Sequence, residues 1–416
     1  MLLIVTIVLI GTVVTVFPIA QGRLPIGATI QPQNQYILVG GQNGTWFENG
    51  QSPRLYKILL SDYSVTRLTP VRSGGTVWGG GFSGSQLLVS GWGSDDASFG
   101  PYIWLYNGAS VVTEGSLDAY GQASSWSGGD IFAASYNGKE WLLSGLGSGP
   151  LGTDLENHMS LGTFNGNVFT DLSSLVPRQD DAILYANAWN GHYWLVGGGY
   201  TRNGVLFTFN GSAIVDLTGQ AESAISNFAS VQSIAWNGRY WLIGGIGFLA
   251  SFDGQNFVDL TSGLSSLLGP GFTVNAMAWG GDEWMLAGGS PVAQLLPSKA
   301  WVVSYSRFGF VNLSRSLPAY LTDTNQSSIL TIAFAYPSWM FGGYSGSHGG
   351  MLLSYQDESF KDLSYLVKDM SYVIWIWAGV LNSSQHWFPP FAFASSTATD
   401  QCIVSSSVNR NPRHLW

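Results

Sequence analysis

The stretch Ser233-Ile-Ala-Trp-Asn-Gly-Arg-Tyr-Trp-Leu-Ile-Gly-Gly245, followed after a short loop by Leu249-Ala-Ser-Phe-Asp-Gly-Gln-Asn-Phe-Val-Asp-Leu260, spells out one complete structural unit. Asn237-Gly238 between two apolar runs is a strong hairpin signal, because a type I′ turn needs positive φ at both central residues. Phe252-Asp-Gly254 followed by Phe257-Val-Asp-Leu260 signals a second tight hairpin. Between them, Tyr240-Trp-Leu-Ile243 is apolar at every position instead of alternating, as a strand buried on both faces requires. The unit therefore reads as a small antiparallel sheet of four strands, A to D, with hairpins joining A to B and C to D.

The unit recurs. Ala188-Trp-Asn-Gly-His-Tyr-Trp-Leu-Val-Gly-Gly198, with Leu206-Phe-Thr-Phe-Asn-Gly211 and Val215-Asp-Leu217, is a near copy. Looser copies run from Tyr36-Ile-Leu-Val-Gly-Gly41, Gln86-Leu-Leu-Val-Ser-Gly91, Tyr136-Asn-Gly-Lys-Glu-Trp141, Trp279-Gly-Gly-Asp-Glu-Trp284 and Trp339-Met-Phe-Gly-Gly343. The position of Trp241 is held in the others by Ile37, Leu87, Trp141, Trp194, Trp284 and Trp339, at spacings of 50, 54, 53, 47, 43 and 55 residues. A period of this length, built from short apolar runs and Gly turns, predicts an all-β fold, a β-propeller of about seven four-stranded blades. The expected organisation is an N-terminal hydrophobic segment over 1–22, the propeller over 23–368 and a tail over 369–416. Seven blades with the tail packed over the ring junction is the preferred arrangement. The alternative makes Tyr372-Val-Ile-Trp-Ile-Trp-Ala378 the first strand of an incomplete eighth blade.

Composition narrows the function classes. Only 10% of residues are charged while 54 of 416 are Gly, which argues against long solvent-exposed helices. The 16 basic and 25 acidic residues give a net charge of −9, and no Lys/Arg cluster is present to track a phosphate backbone, so nucleic acid is not an expected partner. Cys402 is the single thiol and cannot form an internal disulfide or a multi-Cys zinc site. Met1 to Gly22 carries no charged side chain, and this run predicts a signal peptide cut near Ala20-Gln21 or an uncleaved membrane anchor. The competing reading is a buried strand, since the run is rich in Val, Ile and Thr. Either form of export suits the five Asn-x-Ser/Thr sequons at Asn43, Asn210, Asn312, Asn325 and Asn382. The expected location is secreted or cell-surface.

Asn237-Gly-Arg-Tyr-Trp-Leu-Ile-Gly-Gly245 and the aromatic-Asp segment after it resemble a kelch repeat, over about Ala28 to Leu366. Where kelch repeats usually close with Trp, this chain has Phe169, Phe257, Phe310 and Phe360. The Phe252-Asp-Gly254 context is also similar to the Asp-box turns of sialidase-like propellers. Both resemblances imply a propeller. The kelch resemblance extends to copper oxidases with a Tyr-Cys crosslink, for which Cys402 lies in the wrong place, outside the repeats. The sialidase resemblance implies three converging Arg, which eleven scattered Arg neither establish nor exclude.

In a propeller the A–B and C–D hairpins share one face and the B–C and D–A connections share the other. The hairpins here are short and repetitive, whereas the connections vary, and variable loops on a rigid scaffold are where binding is usually built. Ligand-binding candidates on that face are Trp92, Asp95, Asp96, Asp154, Glu156, His158, Arg178, Asp180, Asp181, Tyr200 and Arg202. Asp171, Asp216, Asp259 and Asp362 recur once per blade, which points to a structural hydrogen bond and not to a site. The five His lack metal-ligand spacing. No catalytic residue, metal or cofactor is assigned. The expected function is an extracellular or surface-anchored binding module, with a surface protein or glycan as ligand and contact with the membrane through an uncleaved N-terminus. A sialidase-like hydrolase or kelch-type oxidase, and a structural subunit of a surface coat or appendage, are the alternatives.

Overall fold

A computed structural model describes residues 35–44, 52–68, 74–95, 98–121, 126, 128–147, 158–177, 182–200, 202–289, 299–322, 326–381 and 387–388. The N-terminal segment, Cys402 and the sequons at Asn325 and Asn382 lie outside them. Seven antiparallel sheets form a propeller, and in six of them strands A to D follow chain order from the axis outward. Blades 2 to 7 begin with strands A at Gly75–Phe82, Asp130–Tyr136, Ile183–Trp189, Val231–Trp236, Val274–Trp279 and Ser327–Ala335. Blade 1 has strands B to D at Gln35–Asn43, Ser52–Leu59 and Val65–Arg67, and takes its strand A from the other end of the chain, Tyr372–Leu381. Gln35 to Gly40 pair with Val380 to Trp375, so the tail starts no eighth blade; it closes the ring. Arg54 and Tyr56 of blade 1 both bond the Asp369 carboxylate just before that closing strand.

The strand-B position identified by the repeat is core in every copy: Ile37, Leu87, Trp141, Trp194, Trp241, Trp284 and Trp339 are all at most 5% exposed. Each heads a row running across its blade. In blade 5 the row is Trp236, Trp241, Phe252 and Phe257, and in blade 6 it is Trp279, Trp284, Tyr305 and Phe310. Blade 1 fills the row with Ala378, Ile37, Ile58 and Val65, which is why its copy is hard to see in sequence.

The turn chemistry differs from the type I′ expectation. In the A–B hairpins Asn137, Asn190 and Asn237 open the turn, and only the following Gly takes positive φ (98°, 100° and 90°). The Asn side-chain oxygen instead accepts the backbone N–H groups two and three residues on. A pair of consecutive positive-φ residues occurs in blade 7, at Asp357-Glu358 between strands C and D.

Strand D ends in a second repeated device. The side-chain oxygens of Asp171, Asp216, Asp259, Asn312 and Asp362 accept the N–H of a Ser or Thr two residues later. That hydroxyl bonds back to strand C, as Thr261 does to Leu249. The recurring acidic residue is therefore structural, as its periodicity predicts. After it the chain enters short helices such as α1 (Thr218–Ala224) and α2 (Thr261–Leu268), none long and apolar enough to cross a membrane among the described residues. The sequons at Asn210 and Asn312 are spelled by these same turns, since both side-chain oxygens are turn acceptors.

Candidate functional site: the mouth of the axial channel

One residue is Gly in all seven copies, four positions after the strand-B core residue: Gly41, Gly91, Gly145, Gly198, Gly245, Gly288 and Gly343. A Cβ there would lie 1.8 to 2.2 Å from a backbone oxygen of strand A or of the residue just before it. Beside this close approach, strand A carries a β-bulge opposite each of these glycines. A bulge leaves one residue unpaired and re-aims its side chain. The seven unpaired residues are Ile374, Trp78, Phe132, Tyr185, Gln232, Asn275 and Leu330, and all seven line one cavity of about 380 Å³ along the ring axis.

This ring is not symmetric. Blades 2, 3 and 4 supply a continuous aromatic arc, with Trp78 4.8 Å from Phe132 and Phe132 5.3 Å from Tyr185 between ring centroids. All three are partly exposed to the channel. Blades 5 and 6 supply the amides of Gln232 and Asn275, buried and held by Ser230 and Ser328. Leu330 and Ile374 close the circle as a buried aliphatic pair.

At the channel mouth, on the face of the B–C and D–A connections, Asp130 begins strand A of blade 3 and accepts the Trp78 indole N–H at 3.2 Å. Burial raises its carboxyl to about 7, and the Trp78 bond only partly opposes this. No charged side chain among the described residues contributes to its ionisation. Tyr185 is also shifted upward, by burial first and then by the neighbouring Tyr200 phenol, and stays neutral. Asp130 itself does not line the cavity but meets it through the Trp78 indole, and apart from Tyr185 the described lining residues carry no acid, base or thiol.

The loop-face candidates divide. Trp92 is half-buried near the end of strand B of blade 2, and Asp95 is that strand's last residue. His158 starts strand C of blade 3, half-buried. Tyr200 (55% exposed) and the exposed Arg202 flank the B–C turn of blade 4. Asp96, Asp154, Glu156, Arg178, Asp180 and Asp181 lie outside the described residues. The described candidates thus come from the three blades that carry the aromatic arc, and Tyr200 bears directly on Tyr185. Asp130, Trp78, Phe132 and Tyr185 are additions that the loop argument missed, because they sit on the innermost strands. No group of three His, Cys, Asp or Glu able to hold a metal occurs among the described residues.

No known family matches the chain by sequence, and no curated protein matches it. Among solved structures it is similar to the periplasmic gluconolactonase PpgL of Pseudomonas aeruginosa, at 11% identity and TM-score 0.48, over 79% of this chain and 94% of that one. It is also similar to Sqt1 of Chaetomium thermophilum, at 13% identity and TM-score 0.42, over 81% and 83%. The acylaminoacyl peptidase of Pyrococcus horikoshii is similar at 8% identity and TM-score 0.47, over 80% of this chain and 52% of that one. At these identities the likeness concerns the propeller fold alone, and membership of the kelch family is not among the findings.

Proposed function

We infer that this protein is an exported or surface-anchored propeller that binds a ligand, without transforming it, at the channel mouth and the adjoining loops of blades 2 to 4. The observation that carries this reading is the asymmetry of the bulge ring. The core position is Trp in five of the seven blades and the glycine is the same in all, yet the residue each bulge turns to the axis differs, with its exposed aromatics gathered on three adjacent blades. Packing demands the repeated features; the unrepeated ones are free to serve recognition. Hydrolysis of a glycoside needs two carboxylates acting together. Among the described residues Asp130 has no acidic neighbour influencing its ionisation, which favours binding over catalysis. The uncharged run from Met1 to Gly22 supports export.

A glycan and surface-protein screen with the purified protein tests this reading. A ligand found there should lose at least about tenfold in affinity with Phe132→Ala plus Tyr185→Ala, by the usual weight of aromatic contacts. Lys139→Ala plus Arg239→Ala, in exposed A–B turns on the opposite face, should leave it unchanged. The reverse pattern would move the working surface to the hairpin face.

A further inference from the structure

We propose that the channel mouth holds an alkylated ammonium group, seated between the Asp130 carboxylate and the aromatic arc of Trp78, Phe132 and Tyr185. The inference rests on the channel mouth being the binding site and names the chemistry it recognises.

Three observations converge. First, Asp130 is partly buried beside the cavity and accepts one hydrogen bond, from the Trp78 indole, with no cation contributing to its ionisation among the described residues. A partly buried carboxylate without a counter-charge is disfavoured, and a positive ligand group is the partner that offsets this. Second, the ring joined to that carboxylate begins the arc, because Trp78 packs on Phe132 and Phe132 on Tyr185. Aromatic faces attract cations, Trp most strongly, and cages of such rings suit quaternary ammonium groups. Third, nothing positive competes, since the described lining residues include no Lys, Arg or His, and Tyr185 stays in its neutral form. The described side chain bonded to Asp130 is the Trp78 indole of blade 2, and no other titratable or charged side chain among the described residues contributes to its ionisation. Gln232 and Asn275 already spend amide hydrogens on Ser230 and Ser328, which makes the far wall a poorer match for a polyhydroxylated ligand. The cavity of about 380 Å³ has room for a trimethylammonium head and a short stem.

The group can belong to a free metabolite or to a methylated lysine side chain, and the assay separates these. Choline, Nε-trimethyllysine and 3,3-dimethylbutan-1-ol, the uncharged isostere of choline, are titrated into the full chain by calorimetry at pH 8 and pH 5.5. We expect at least one of the two cations to bind at least about tenfold tighter than the alcohol at pH 8, consistent with a carboxylate and a cation–π term acting together. The tighter of the two identifies the source. Binding should weaken roughly 30-fold at pH 5.5, where most of Asp130 would be protonated. Asp130→Asn, which keeps the shape and the acceptor for Trp78, should abolish the pH dependence and reduce the preference for charge to the smaller part that the aromatic arc supplies. Phe132→Leu should weaken the cations more than the alcohol. Equal binding of choline and the alcohol, or a cation preference and pH dependence left undiminished by Asp130→Asn, overturns the ammonium assignment while leaving the channel mouth as a binding site. Absence of binding by both cations also overturns it. The proposed function fails separately, if a ligand from the screen is lost on hairpin-face substitution.

Discussion

Replacing Gly198 by Ala puts the steric basis of the channel to the test. In blade 4 a Cβ on Gly198 would stand 1.9 Å from the Ile183 carbonyl oxygen, 2.7 Å from the Leu184 Cα and 2.8 Å from the Ile183 carbonyl carbon, all backbone atoms. Reaching a tolerable separation of about 3 Å requires strands A and B to part by about 1 Å, since no side chain can rotate away. Overpacking of this kind costs about 1 to 3 kcal/mol, and losing one or two ladder hydrogen bonds adds about 1 kcal/mol each, for a total of about 2 to 5 kcal/mol. Two other glycines calibrate the result. Gly211 has φ of 96° with nothing within 4 Å of its Cβ position, so Ala there meets only backbone strain, about 1 to 2 kcal/mol. Gly219 lies in α1 with open space and ordinary φ, so Ala there should stabilise by about 0.5 to 1 kcal/mol. Urea unfolding followed by tryptophan fluorescence gives all three values. If Gly198→Ala costs less than about 1 kcal/mol, the bulge is not held by steric exclusion of Cβ, and the account of how bulge residues reach the axis is wrong.

Trp241→Ala should destabilise by about 3 to 5 kcal/mol, because the side chain is fully buried; a loss under about 1 kcal/mol in the same urea assay would show that the row is not core. Trp241→Phe should cost less than Trp284→Phe: the Trp241 indole N–H has no partner, whereas that of Trp284 donates to the Tyr240 hydroxyl at 2.9 Å. That bond is worth about 1 kcal/mol, and equal losses would refute the distinction. Asp130→Asn should stabilise the protein at pH 8 and not at pH 4. Its folded carboxyl is raised to about 7, so the ionised form opposes folding. That cost is absent below the ordinary carboxylate range, grows as pH rises from about 4 to 7 and is complete above, at most about 4 kcal/mol. A gain that is the same at both pH values would mean Asp130 titrates normally. Finally, the full chain should fractionate with membranes or the medium, given its uncharged start; a cytosolic form retaining Met1 would favour the buried-strand reading of residues 2–17.

How much of the ring can be read without coordinates follows from which features packing repeats. Trp141, Trp194, Trp241, Trp284 and Trp339 announce five blades because each row needs a large apolar residue at its centre. The first blade is nearly silent, since Ala378, Ile37 and Ile58 fill the same row with small aliphatic side chains. Ring closure was also ambiguous. Tyr372 to Ala378 has the composition of a strand A, but no local signal tells whether its partner is the next segment or Gln35 to Asn43, more than 300 residues earlier. Only the geometry of a closed ring of seven decides that. The hairpins show a finer limit: Asn-Gly correctly marks a turn, yet Asn as opening acceptor and Asn as central residue are spelled alike.

The site is less legible than the fold, but not for want of a signal. Trp78, Phe132, Tyr185, Gln232, Asn275 and Leu330 each stand nine residues before their blade's core position at Leu87, Trp141, Trp194, Trp241, Trp284 and Trp339. Attention to variable loops passes over them, because they lie inside regular strands, where alternation argues for packing. The missing step is physical: a Gly four residues beyond the core position lets the strand-A backbone approach to a distance no Cβ would allow, and the bulge that results turns one side chain from the blade to the axis. The repeated glycine and the unrepeated residue are therefore two halves of one device. The first is fixed by sterics in every blade, and so the second can differ from blade to blade without loss of the ring. Seven positions of equal geometry and unequal chemistry are what a recognition surface requires. Their distribution here, aromatic beside Asp130 and aliphatic or amide opposite, gives the channel a π-rich side that an exchange of Tyr185 and Leu330 would divide while leaving the composition unaltered.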